Sequence, residues 1–187
     1  MPKLDGKRIA ILATHGFEFS ELDVPRRRLK EMGAEVVVVS PESGPIRGWS
    51  DGDWDGEIPV DLPLSDATAE AFDALVLPGG QINPDLLRVE EAAVDLVRAV
   101  FDAKKPLAAI CHGPWLLIEA GVVKGREATS YRSIRTDMVN AGAAWRDAAV
   151  VCHEGLITSR HPGDLDAFVD KIAEEVLEGR HQRRRVA

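Results

Sequence analysis

The segment Ala109-Ile110-Cys111-His112-Gly113-Pro114 puts a thiol and an imidazole between an apolar run and a helix-forming one. Strand, nucleophile, helix is the order of a nucleophile elbow, which holds a reactive side chain on a strained turn between small neighbours. Ala109 and Gly113, two positions either side of Cys111, are those small neighbours. A thiol at this place meets the positive end of a helix dipole, which favours thiolate and lowers the pKa. Pro114 near the helix start leaves the N–H groups of the first turn facing the same point. Nucleophilic attack by Cys111 is therefore expected, against the bland alternative of a small buried core cysteine. His112 is the nearest base. Residues i and i+1 do not face each other on regular structure, so the pair needs the strained turn to converge.

Three further groups fall just after apolar runs. Pro78-Gly79-Gly80 can turn backbone amides toward a developing negative charge, as an oxyanion hole requires, so Gly79 and Gly80 are the candidate substrate-binding positions. Alone, the pair is only a turn signal. Glu18 is either a carboxyl group that contacts and tunes the thiol or an exposed acid at a helix start. His15 and His153 are candidates for the border of the same edge. No metal-ligand spacing such as His-Glu-x-x-His is present, so no metal and no cofactor is expected. Cys152, within a late apolar run, reads as core packing.

Parallel strands with their carboxyl ends on one edge would bring these groups together. Residues 8–14, 34–40, 74–78 and 106–110 are nearly continuous apolar runs, as strands buried on both faces should be. Helices alternate with them: one opened by Ser20 as N-cap and ended by Gly33, then 67–72, 89–103, 115–120 and 162–177. Two late strands are expected at 149–152 and 155–158. Residues 41–63 break the rhythm with prolines, glycines, Trp49 and Trp54; a loop or short hairpin is expected, with 57–60 as an edge strand. The pattern describes one α/β domain over 1–187, with a mainly parallel sheet and helices on both faces.

The chain has 187 residues, 45% hydrophobic and 29% charged, which is a globular composition. A net charge of −8 argues against a nucleic-acid partner, since a basic face supplies most of that affinity. No apolar stretch approaches the roughly 20 residues of a spanning helix, so no membrane partner is expected. The apolar run near the N-terminus is too short for a signal peptide, and two cysteines suit a reducing compartment; a cytoplasmic protein is expected. The arginine-rich segment 180–187 reads as a flexible basic tail.

With these residues in view, the sequence resembles the PfpI-like intracellular proteases of the wider DJ superfamily, from Lys7 to about Ile172. The resemblance rests on Gly16-Phe17-Glu18, Pro78-Gly79-Gly80, the Cys111 segment, Ala128-Thr129-Ser130-Tyr131, residues 137–142 and Ser159-Arg160-His161-Pro162-Gly163-Asp164-Leu165. It implies a flavodoxin-like three-layer sandwich with Cys111 as nucleophile, His112 beside it and Glu18 as the acid on the thiol. It also implies a homo-oligomer, dimer or hexamer, whose active site is shared at the interface. Asp85 falls where such relatives carry a glutamate donated by the neighbouring subunit. The implied substrates are peptides, or reactive aldehydes and early glycation adducts, handled in stress protection. A non-catalytic redox sensor that oxidises the same cysteine is the other reading.

Overall fold

The computed structural model describes residues 3–180, so the basic segment beyond Arg180 lies outside the described residues. Strands β1 (Arg8–Leu12), β2 (Glu35–Ser40), β3 (Leu62–Pro63), β4 (Ala74–Leu77), β5 (Leu107–Ile110), β6 (Val150–His153) and β7 (Leu156–Ser159) form one sheet. Their spatial order is β6-β7-β5-β4-β1-β2-β3. Every pairing is parallel except β6 with β7. The helices are α1 (Phe19–Glu31), α2 (Ile82–Leu87), α3 (Glu91–Asp102), α4 (Pro114–Glu119), α5 (Arg135–Asn140) and α6 (Leu165–Glu178).

Successive strand residues point to opposite faces, and here both faces are covered. Ile9, Ile11, Val36, Val38 and Ile110 pack with Leu22 and Leu29 of α1 and with Phe168 and Ile172 of α6. Ala10, Leu12, Val37, Leu77 and Ala109 pack on the other side with Val97 and Val100 of α3 and Leu116 of α4. Double coverage explains why these strands read as unbroken apolar runs rather than alternating ones. The result is the flavodoxin-like three-layer sandwich that the resemblance implied. The chain winds outward from β1 in both directions, so the crevice between β1 and β4 is the topological switch point where such sheets bind ligands. Among the described residues no helix is long and apolar enough to cross a membrane.

Several local expectations need correction. Glu18, not Ser20, is the N-cap of α1, and Ser20 donates its hydroxyl proton to Glu18 Oε1 at 3.1 Å. The segment 67–72 is not a regular helix; short 3-10 turns occupy Leu64–Asp66 and Ala69–Ala71. The short hairpin expected within 41–63 is present, Ile46–Ser50 with Asp53–Ile58. Its second strand is the edge of a separate small sheet and ends at Ile58 rather than continuing to residue 60, and β3 holds one edge of the main sheet. Trp49 and Trp54 face each other across that hairpin, edge to face with ring centroids 5.4 Å apart. The expected helix 89–103 begins at Glu91, with α2 as a separate helix before it.

Candidate active site

Cys111 follows β5 directly and sits at φ +63°, in the left-handed region that a non-glycine residue enters at a cost of about 1–3 kcal/mol. The surroundings hold it there. Its amide donates to the Ser159 carbonyl at 3.1 Å, and its carbonyl accepts from the Tyr131 amide at 2.8 Å. A Cβ on Gly113 would lie 2.5 Å from the Leu77 carbonyl oxygen, so only glycine lets the turn lie this close to β4. The turn does what the adjacent Cys–His pair requires: His112 Nδ1 is 3.2 Å from Cys111 Sγ. The imidazole is buried, stacked on Tyr131 at 4.8 Å and edge-on to Trp115 at 5.2 Å. That burial lowers its pKa and favours a neutral ring able to take a proton.

The acid beside the sulfur is Glu21, not Glu18. Glu21 is fully buried in the first turn of α1, and its Oε2 accepts the Gly79 amide proton at 2.8 Å. Its carboxyl group faces the Cys111 thiol. Desolvation lifts its pKa to about 8, against the Gly79 N–H, so the group is mostly protonated at neutral pH. Glu18 lines the mouth of the same pocket, half-buried and occupied with Ser20; burial raises its pKa as well. The difference is one helical turn. α1 buries Glu21, Leu22, Pro25 and Leu29, a stripe at helical spacing that includes one carboxylate. An acid on an otherwise apolar face was the available signal.

The thiol also departs from expectation. Cys111 is 7% exposed, and burial together with the Glu21 carboxylate pushes its pKa well above the ordinary range. The amides of Gly80 and His112 act in the opposite direction, hydrogen-bonding the sulfur. The expected depression by the helix dipole is outweighed: α4 has only six residues, and desolvation is the larger effect. Gly80 is at φ +77°, and a Cβ there would sit 2.4 Å from the Gly16 carbonyl oxygen. The two glycines thus divide the work, Gly79 fixing the buried acid and Gly80 presenting an amide to the sulfur.

The pocket, about 480 Å³, is lined by Glu18, Glu21, Gly80, Cys111 and His112, with Trp49 and Tyr131 on its walls. Asp85 does not line it; this side chain is exposed in the first turn of α2. His15 Nδ1 accepts from the Arg47 amide at 3.0 Å and His153 Nδ1 from the Glu127 amide at 2.9 Å, so each braces a neighbouring short strand and neither lines the pocket. Cys152 packs against the core beside Glu175, with its pKa pushed up to about 12. Among the described residues the side chains grouped closely enough to hold a metal are Glu174, Glu175 and Glu178 of α6, none of which lines the pocket.

Ser133, unremarked in the sequence, completes the imidazole's contacts: its Oγ is 2.9 Å from His112 Nε2. It arrives on the 3-10 turn Arg132–Ile134, 21 positions along the chain from the histidine, with no local motif to mark it. Ser133→Ala is expected to lower kcat about tenfold, the value of one lost hydrogen bond, with KM nearly unchanged. Ser133→Thr should restore it. Equal loss in both variants, or a change confined to KM, would remove Ser133 from the orientation of the ring.

A buried cysteine–histidine–carboxyl cluster at a strand-end elbow on this sandwich defines a thiol-nucleophile class of site. The DJ-1/PfpI family pattern matches residues 7–175, and the chain belongs to that family. It is 47% identical over 162 residues to deglycase PfpI of Pyrococcus furiosus, covering 87% of this chain and 95% of that protein. It is 45% identical over 164 residues to general stress protein 18 of Bacillus subtilis, covering 87% and 94%. Among solved structures, a two-domain protein of Anabaena variabilis with DJ-1/ThiJ/PfpI-like and ferritin-like domains superposes at TM-score 0.85 and 38% identity. That match covers 90% of this chain and 47% of the other.

Proposed function

We propose that the protein is a cysteine-dependent hydrolase of the deglycase type, acting on reactive aldehydes and early glycation adducts in stress protection. One observation carries this reading: Sγ of Cys111 lies 3.2 Å from His112 Nδ1 and faces the buried Glu21 carboxyl on a backbone that the fold holds in a left-handed turn. His112 takes the thiol proton as Sγ attacks the carbonyl carbon. The amides of Gly80 and His112 are the nearest donors for the charge that develops on the carbonyl oxygen. Glu21, protonated at neutral pH, can give a proton to that oxygen to form the hemithioacetal. The proton on that carbon then moves to the neighbouring carbon through an enediol, leaving a thioester that water hydrolyses to the hydroxy acid and the free thiol. Aldehydes are favoured over peptides because a peptide's amine leaves only after protonation by an oriented imidazole. In this chain His112 Nε2 is held by a hydroxyl rather than a carboxylate. The family names agree, one relative being a deglycase and another a general stress protein.

The oxidation-sensor reading rests on a thiol of low pKa, and burial pushes the Cys111 thiol up instead. A shared site remains part of the proposal. Asp85 is exposed with Leu86 and Val89 exposed nearby, a surface on which a second copy could seat and bring Asp85 to the rim of the pocket, with Ser133 kept on the imidazole. Two free thiols fit a reducing compartment, and we place the protein in the cytoplasm. The test is parallel turnover of methylglyoxal, of its adduct with N-acetylcysteine and of a chromogenic peptide. Consumption of the first two is the expected result. Cleavage of the peptide alone would move the assignment to peptide bonds, and turnover of none would end it.

A further inference from the structure

We propose that the cleft adjoining the thiol pocket is an anion subsite of the same active site, taking the phosphate or carboxylate of a substrate whose carbonyl lies at Cys111. This rests on the carbonyl chemistry proposed above. The cleft, about 740 Å³, is lined by Tyr131, Arg132, Arg135, Trp145, Arg160 and His161 among others. Tyr131 is the common wall: one cleft has it as lining, the other has it stacked on the catalytic imidazole. A ligand that spans the ring therefore reaches the sulfur at one end and the arginines at the other.

The charge balance of the cleft is unusual for a chain with 31 acidic and 23 basic residues. Arg160 is fully engaged, its guanidinium bound by both carboxylate oxygens of Asp164 at 2.9 Å and by Asp147 at 2.7 Å. Asp147, the acid lining the cleft, is thereby occupied. Arg132 and Arg135 remain, exposed and, among the described residues, without an ion-pair partner. Arg135 lies over the Trp145 ring at 5.3 Å, which orients the guanidinium without consuming its hydrogen-bond donors. Trp145 is itself fixed by donating to Ser130 Oγ at 3.0 Å. Arg132 is next to Ser133, the residue that holds His112, so its backbone is tied to the catalytic ring. Two uncompensated guanidinium groups beside flat aromatic walls match a planar or tetrahedral oxyanion, which arginine binds through paired donors.

Two pairs of methylglyoxal adducts that differ only in the anion test this: N-acetylcysteine against its carboxamide, and guanosine 5′-monophosphate against guanosine. The wild-type protein is expected to favour the anionic member by about tenfold in kcat/KM, as a charge-assisted contact provides. That ratio should fall toward one in the double variant Arg132→Gln/Arg135→Gln, partly return with lysine at both positions, and persist in Arg98→Gln on α3. A preference in one pair only supports the subsite and names its anion. Equal rates within both wild-type pairs, or a preference that survives the double variant, overturns it. Calorimetry with inorganic phosphate on the Cys111→Ala protein gives a reading free of turnover. Binding that the double variant loses supports the subsite even if no adduct is consumed; no phosphate binding together with no preference in either pair overturns it.

Discussion

Cys111→Ala is expected to reduce methylglyoxal turnover by about 10³-fold or more, the scale on which a covalent nucleophile contributes. The loss should be chemical rather than structural. Alanine keeps the Cβ, the backbone contacts to Ser159 and Tyr131 do not involve the sulfur, and the vacated space borders the pocket rather than the interior of the core. The melting temperature should therefore change little while kcat collapses. Cys152→Ala is the matched control. That thiol packs beside Glu175 and lines no part of the pocket, so its variant should keep nearly full activity. If Cys111→Ala consumed the aldehyde at the wild-type rate, the sulfur would not be the nucleophile.

Glu21 produces the second large effect, through pH. Its pKa rises from an ordinary 4.5 to about 8 on folding, so the folded chain binds a proton there that the unfolded chain has released. The stability this provides is complete below pH 4.5, declines between 4.5 and 8, and is absent above 8. Within that window the decline approaches ~1 kcal/mol per pH unit. Glu21→Gln keeps an acceptor for the Gly79 amide but cannot ionise, so its stability curve should be flatter across the window and the variant should gain on wild type as pH rises. Urea unfolding at pH 5, 6.5 and 8 measures the difference. Parallel curves for the two proteins would show that Glu21 titrates normally and is not enclosed as described. Activity should fall in the same variant, because glutamine cannot pass a proton to and from the substrate oxygen.

The contrast between Glu18 and Glu21 shows where sequence reading reached its limit. Buried strands announce themselves by composition, and the residues after them by position, so Cys111, His112 and Gly80 were legible from one chain. Gly79, expected to bind substrate, instead gives its amide to Glu21 and does not line the pocket. Which of two acids three positions apart turns inward follows the buried stripe of α1: Glu21 lies on it with Leu22, Pro25 and Leu29, while Glu18 is the N-cap ahead of the first turn. Ser133 and the arginine-lined cleft were not legible, because they come from α5 and the turn before it, a segment with weak apolar periodicity that packs by tertiary contact. The Cys111 thiol departs from the dipole expectation for a different reason: one favourable field is outweighed by the cost of withdrawing a thiolate from water.

The Ile46–Ser50 and Asp53–Ile58 hairpin stands apart from the main sheet, yet it pairs with Phe17–Glu18 and contributes Trp49 to the pocket wall. Bond-making and admission are thereby assigned to separate stretches of polypeptide. Lengthening, shortening or recolouring that ribbon can retune which molecules enter while leaving the elbow undisturbed, so divergence in diet among related proteins should concentrate there.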